Sequence, residues 1–206
     1  MNKEQLKKIA ADIEAKHGAD ARERIFGNLD KLTDDDDSVC NFFHRFIEGM
    51  DELNDSGFLM AVMAKNCPCS HSDFEIIIKE IYDESKTLFE FAQRLERGNL
   101  IEDVVSLEGN ILFLTKHPFE KYGQHNHRGL FIKGCHCGLA SRAKKEISNI
   151  FCHCCTVGFY GKMFGNALGT DVKVEFIESI ISGGASCKAA IHLPPKNNNE
   201  AGDIHE

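Results

Sequence analysis

Val104-Val105-Ser106-Leu107-Glu108-Gly109-Asn110-Ile111-Leu112-Phe113-Leu114 is the stretch at which the chain changes its period. Before it, apolar residues recur at helical spacing. Within it, two short strand-forming runs flank Glu108-Gly109-Asn110, a turn between antiparallel strands. A helical half followed by a strand-bearing half predicts an α+β protein, its amino-terminal helical part packed on an antiparallel sheet with helices.

Working upstream, Leu6, Ile9, Ala10 and Ile13 share one face of a first helix that Gly18 ends, and a second helix runs through Ala21 to Leu29. Asp34-Asp35-Asp36-Asp37-Ser38 reads as an acidic cap for a helix carrying Phe42, Phe43, Phe46, Ile47 and Met50. That run lacks the alternating ligands and central glycine of a calcium loop. One long amphipathic helix is expected from Asp73 to Arg97, bearing Ile76, Ile77, Ile81, Leu88, Phe89, Phe91 and Leu95. Downstream, Gly129 to Gly134 is a short apolar run and Cys154 to Leu168 a glycine-punctuated helix. Asp171 to Ile177 alternates like a half-buried strand, and Ser182-Gly183-Gly184-Ala185 turns the chain into a closing strand from Cys187 to Leu193. The expected organisation is a helical part over 1–98, a cysteine-rich α+β ligand-binding domain over 99–194 and a disordered tail over 195–206.

Composition narrows the function. A chain of 206 residues with 42% hydrophobic content can bury a full core, and a formal charge of -8 argues against a nucleic-acid groove or an anionic membrane as partner. Met1-Asn2-Lys3-Glu4-Gln5-Leu6-Lys7-Lys8 carries no apolar targeting segment, and no later run is long enough to cross a bilayer, so a cytoplasmic protein is expected.

Eight of the nine cysteines fall at Cys67-Pro68-Cys69-Ser70-His71, Cys135-His136-Cys137, Cys152-His153-Cys154-Cys155 and Cys187; only Cys40, in the apolar run Val39-Cys40-Asn41-Phe42-Phe43, reads as a small buried hydrophobe. Cytosolic thiols stay reduced, which weighs against a disulfide framework. Closely spaced thiolates with histidine neighbours supply the donors that zinc takes, and an iron–sulfur cluster is the alternative cofactor. Two cysteines one residue apart on a strand lie roughly 6–7 Å apart on one side and can converge on one metal. Cys67, Cys69, Cys135, Cys137, Cys152, Cys154, Cys155 and Cys187 are the candidate ligands. Ser70 to Asp73 would cap the long helix, whose dipole favours thiolates at its start. His117, His125 and His127, in the loop Lys116 to His127, read as solvent-facing.

The order Cys154-x-x-x-Gly158-Phe159, Gly161, Leu168-Gly169, Val172-x-Val174-Glu175, Gly183 and Cys187-x-x-x-Ile191 resembles the vinyl-reductase-type small-molecule-binding domain of predicted hydrocarbon-binding proteins and phenol-responsive regulators. That fold is related to haem-based nitric-oxide sensors and vesicle-tethering subunits. The whole chain is similar to a bacterial cysteine-rich family with the same Cys-x-Cys-x-x-Gly helix and Glu-Ser-Ile-Ile-x-Gly turn, itself similar to the aminothiazoline-carboxylate hydrolase family. The phenol-sensor resemblance implies a zinc site of a first cysteine, a strand glutamate, a second cysteine and a last cysteine. Here Cys154 and Cys187 take the first and last places, Glu175 or Glu178 the carboxylate place, and Ser179 stands where the remaining cysteine would be. Serine is a poor zinc ligand, so that set is incomplete.

Three functions are compatible with these residues. The preferred one is a cytoplasmic metal-binding, small-molecule-binding protein, with a pocket for an apolar or aromatic ligand lined by Phe159, Tyr160 and Phe164 and homodimerisation possible by analogy. The second is a hydrolase of a small cyclic amide or thiazoline-like substrate, with Glu178, an acid inside an apolar stretch, as base or a cysteine as nucleophile. The third is an iron–sulfur or redox-thiol protein.

Overall fold

The computed structural model describes residues 3–33, 36–66, 72–98, 103–116 and 148–196. They form an α+β fold: helices α1 (Lys3–Phe26), α2 (Asp36–Glu52), α3 (Ser56–Lys65), α4 (Ser72–Glu84) and α5 (Leu88–Gly98), the hairpin β1 (Asp103–Glu108) and β2 (Ile111–Lys116), α6 (Phe159–Leu168), and strands β3 (Lys173–Glu178) and β4 (Cys187–His192). The strands make one antiparallel sheet in the order β1-β2-β4-β3. No helix among the described residues is long and apolar enough to cross a membrane. Cys67, Cys69, His71, the Gly129–Gly134 run, Cys135, Cys137 and the histidines of the 117–127 loop lie outside the described residues, as do the side chains of Asp34 to Asp37 and of Cys40.

Gly18 interrupts α1 at φ 86°, a backbone angle that glycine adopts without a Cβ penalty, so the two expected amino-terminal helices meet there at a kink. The expected apolar face of α2 is buried throughout, and Gly49 lets α2 lie against α1: a Cβ there would sit 2.6 Å from Ile25 Cγ1. The hairpin turns at Gly109, φ 61°, with Glu108 paired to Ile111.

The long helix expected from Asp73 to Arg97 is instead two. The Ser85 hydroxyl and amide both donate to the Ile81 carbonyl, ending α4. Thr87 Oγ1 then accepts the Glu90 amide at 3.1 Å as the N-cap of α5, while the Glu90 carboxylate reaches back one residue further than in a capping box and accepts the Lys86 amide at 2.8 Å. Thr87→Ala should lower stability by about 1 kcal/mol in urea unfolding; an unchanged midpoint would show that the hydroxyl is not a cap. At the far end of the chain Lys196 donates to the Tyr82 and Ser85 carbonyls and lies over the Tyr82 ring, fastening the start of the expected tail to the end of α4.

The apolar interior has two parts. One joins α1, α2 and α3 around Phe26, Phe46, Met50 and Phe151. The other joins α4, α5 and α6 to one sheet face through Ile78, Phe91, Leu95, Leu112, Leu114, Phe164, Ala189 and Ile191. So α4 and α5 belong with the sheet, although composition changes only near Gly98. The segment from Asn149 to Leu168 runs through both parts, with Ile150 and Phe151 in the first, Tyr160 and Phe164 in the second, and Phe159 against each.

Candidate functional site

Register decides what faces what. Leu112 pairs with Ile191 and Leu114 with Ala189, all buried on the inner face, so the next pair along, Lys116 opposite Cys187, lies on that face as well. Opposite it, the chain from Asn149 winds first as a 3₁₀ turn (Asn149–Phe151) and then as a π-helical stretch (Cys154–Gly158), before settling into α6. Single π turns inside helices are uncommon and cluster at functional sites.

A bulge in β3 chooses the third component. Phe176 pairs with Ala189 and Glu178 with Lys188, so Ile177 is an extra residue, 45% exposed. That insertion sends Glu178 to the outer face, beside Glu175, and turns the next residue, Ser179, inward, where it is fully buried. Ser179 hydrogen-bonds the Cys152 thiol, and its hydroxyl is 2.8 Å from that of Ser182 in the following turn.

Cys152, Cys155 and Cys187 therefore gather around Ser179 and Lys116. Burial pushes the Cys152 thiol up to about 12; the Ser179 hydrogen bond pulls it down, the nearby Cys155 and Cys187 push it further up, and the Lys116 charge opposes them. Lys116 fastens the sheet to the π turn: its Nζ donates to the Cys155 carbonyl at 2.7 Å and sits 5.0 and 5.2 Å from the Phe159 and Tyr160 rings. Thr156, fully buried, donates its hydroxyl to the Cys152 carbonyl at 2.6 Å. His153 turns the other way and stacks on Phe176 at 5.2 Å, where burial holds its imidazole below the ordinary value.

The other expected site residues lie elsewhere. Cys154 is buried in the helical-side interior with Ile150 and Phe151. Glu175, on the outer face, pairs with Lys173 and His192. Glu178 accepts a hydrogen bond from Ser186 across the β3–β4 turn. Tyr160 and Phe164 are packed into the sheet-side interior, which leaves Phe159 as the half-buried member of the expected pocket. A cavity of about 430 Å³ lies instead beside the α1 kink, lined by Lys7, Glu14, Arg22, Glu23 and Asp30 among others.

The zinc set implied by the family resemblance does not fit this geometry. Both candidate carboxylates are on the face away from Cys187, Cys154 lies in the helical-side interior while Cys152 is the thiol near Cys187, and the Ser179 hydroxyl is engaged with that thiol and with Ser182. Among the described residues no three His, Cys, Asp or Glu side chains are disposed to hold a metal ion as they stand. What the fold does bring together is a group of sulfurs, Cys155 and Cys187 lying near enough to Cys152 to raise its thiol. No protein-family model matches the chain, and no curated protein matches it.

Proposed function

We propose that this protein is a cytoplasmic metal-binding protein, zinc being the preferred ion, whose metal is taken by the Cys152, Cys155 and Cys187 sulfurs in place of the set that the family resemblance implies. The observation that carries the reading is the meeting of thiols from two distant segments beside one buried serine and one lysine. Three soft donors suit zinc, and a three-ligand site leaves a coordination position for water or a small ligand. Lys116 would offset part of the negative charge of the thiolates. Phe159, which Lys116 covers, is the surface that an apolar or aromatic ligand would meet. The outward position of Glu178 favours binding over hydrolysis, since that carboxylate is engaged with Ser186 rather than aimed at the thiols.

Ser179→Cys tests the placement. A thiol at that position should raise zinc affinity by about 10-fold or more in a chelator-competition titration, the size of effect that a good change around a metal produces. Unchanged affinity in both Ser179→Cys and Cys187→Ala would place the metal elsewhere.

A further inference from the structure

Cys152 and Cys155 stand three residues apart where the helix is irregular. The 3₁₀ turn ends at Phe151 and the π-helical stretch begins at Cys154, so the pair spans a change from tight to wide winding. On a regular helix Cβ atoms at this spacing are about 5–6 Å apart, whereas a disulfide needs about 3.5–4.5 Å. Cys152 and His153, between the two windings, keep ψ at -27° and -24°, the tight values of a 3₁₀ winding on which side chains three apart eclipse, and this closes part of that gap. The Cys155 side chain already points back along the turn, its Sγ donating to the Cys152 carbonyl at 3.5 Å. Burial divides the pair: Cys152 is 1% exposed and Cys155 half-buried, so a dissolved oxidant meets Cys155 first.

We infer that Cys152 and Cys155 are a reversible dithiol–disulfide pair, oxidised by a hydroperoxide and restored by a dithiol reductant. The Cys155 sulfur attacks the peroxide oxygen; an S–O bond forms, the O–O bond breaks, and water or an alcohol leaves with the first thiol proton. The Cys152 sulfur then attacks that sulfenic sulfur; the S–S bond forms, the S–O bond breaks, and a second water carries off the remaining proton. The sulfur pair gives up two electrons and the peroxide takes them. Cys154, between the two, faces the helical-side interior and takes no part. The inference rests on the two thiols alone and is independent of metal, although an ion held by either sulfur would have to leave before the disulfide closed.

The test uses the full chain, untreated and after chelator stripping, reduced and then exposed to hydrogen peroxide, with thiol counting and peptide mapping. The stripped protein should lose one pair of thiols and gain a disulfide confined to residues 152–155, reversed by dithiothreitol. In the stripped protein Cys154→Ala should behave as the parent does, and Cys155→Ala should abolish the disulfide while its melting temperature, recorded in parallel, verifies the fold. A disulfide joining this turn to Cys187, oxidation that survives Cys155→Ala, or retention of every thiol by the stripped protein would overturn the inference. The metal content of the untreated sample decides the proposed function separately, because a metal-free sample that still forms the 152–155 disulfide sinks that function and leaves the dithiol pair standing.

Discussion

Phe46→Ala is expected to destabilise the protein by about 3–5 kcal/mol. Phe46 is fully buried, and its ring lies 5.4 Å from Phe26, 5.8 Å from Phe42, 6.4 Å from Phe43 and 5.6 Å from Phe151. Those four rings belong to α1, α2 and the 3₁₀ turn that leads into the thiol site, so they cannot all relax into the space left behind. The truncation therefore loses the transfer free energy of the ring and leaves a cavity as well. Phe89→Ala is the control, since Phe89 is 64% exposed and its removal should change stability by no more than about 0.5 kcal/mol. Equal effects from the two substitutions, read by chemical denaturation, would contradict the packing described for the helical-side interior.

The second large effect is on pH dependence. A metal binds thiolate, so each thiol that starts protonated must release its proton on binding. In the metal-free protein Cys152 is held as a thiol up to about 12, because burial and the neighbouring sulfurs outweigh the Ser179 hydrogen bond and the Lys116 charge. Raising the pH by one unit below that value makes the proton about tenfold easier to remove, and metal affinity rises by the same factor through this residue alone. The ratio of zinc affinities between the parent and Cys152→Ala should thus grow by about tenfold per pH unit between roughly pH 6 and pH 8. A ratio that stays flat across that range, with chelator protonation corrected, would mean that Cys152 does not give its sulfur to the metal.

The elements that the sequence made legible are those fixed by local chemistry. The hairpin could be read because Gly109 supplies the positive φ of a two-residue turn, and α2 because its phenylalanines recur on one face. The break between α4 and α5 was also present, as Thr87-Leu88-Phe89-Glu90, but Ile81, Leu88 and Leu95 continue a seven-residue spacing across it, so periodicity alone joins the two helices. The division of the interior was hidden for a different reason. Amphipathic helices carry no label for what they pack against, and α4 and α5 look like α1 and α2 although they cover the sheet.

At the site, the types of donor were legible and their directions were not. A bulge inserts a single residue, and nothing in Phe176-Ile177-Glu178-Ser179 says which one is left unpaired; yet that choice sends Glu178 outward and Ser179 inward. Helical winding sets Cys152 and Cys154 about 200° apart, so that Cys152 lies towards Cys187 and Cys154 in the helical-side interior, and the sequence does not say which of the two faces which. Lys116 carried no motif of its own. Its role comes from standing opposite Cys187 in the sheet and within hydrogen-bond reach of the Cys155 carbonyl.

The most direct test of the metal-binding reading is elemental analysis of freshly and anaerobically purified protein, run beside Cys152→Ala and Cys187→Ala. The parent should carry about one equivalent of zinc, lose melting temperature on chelation, and retain far more metal than either variant. A metal-free parent, with nine freely titrating thiols and a melting temperature unmoved by chelator, would contradict it.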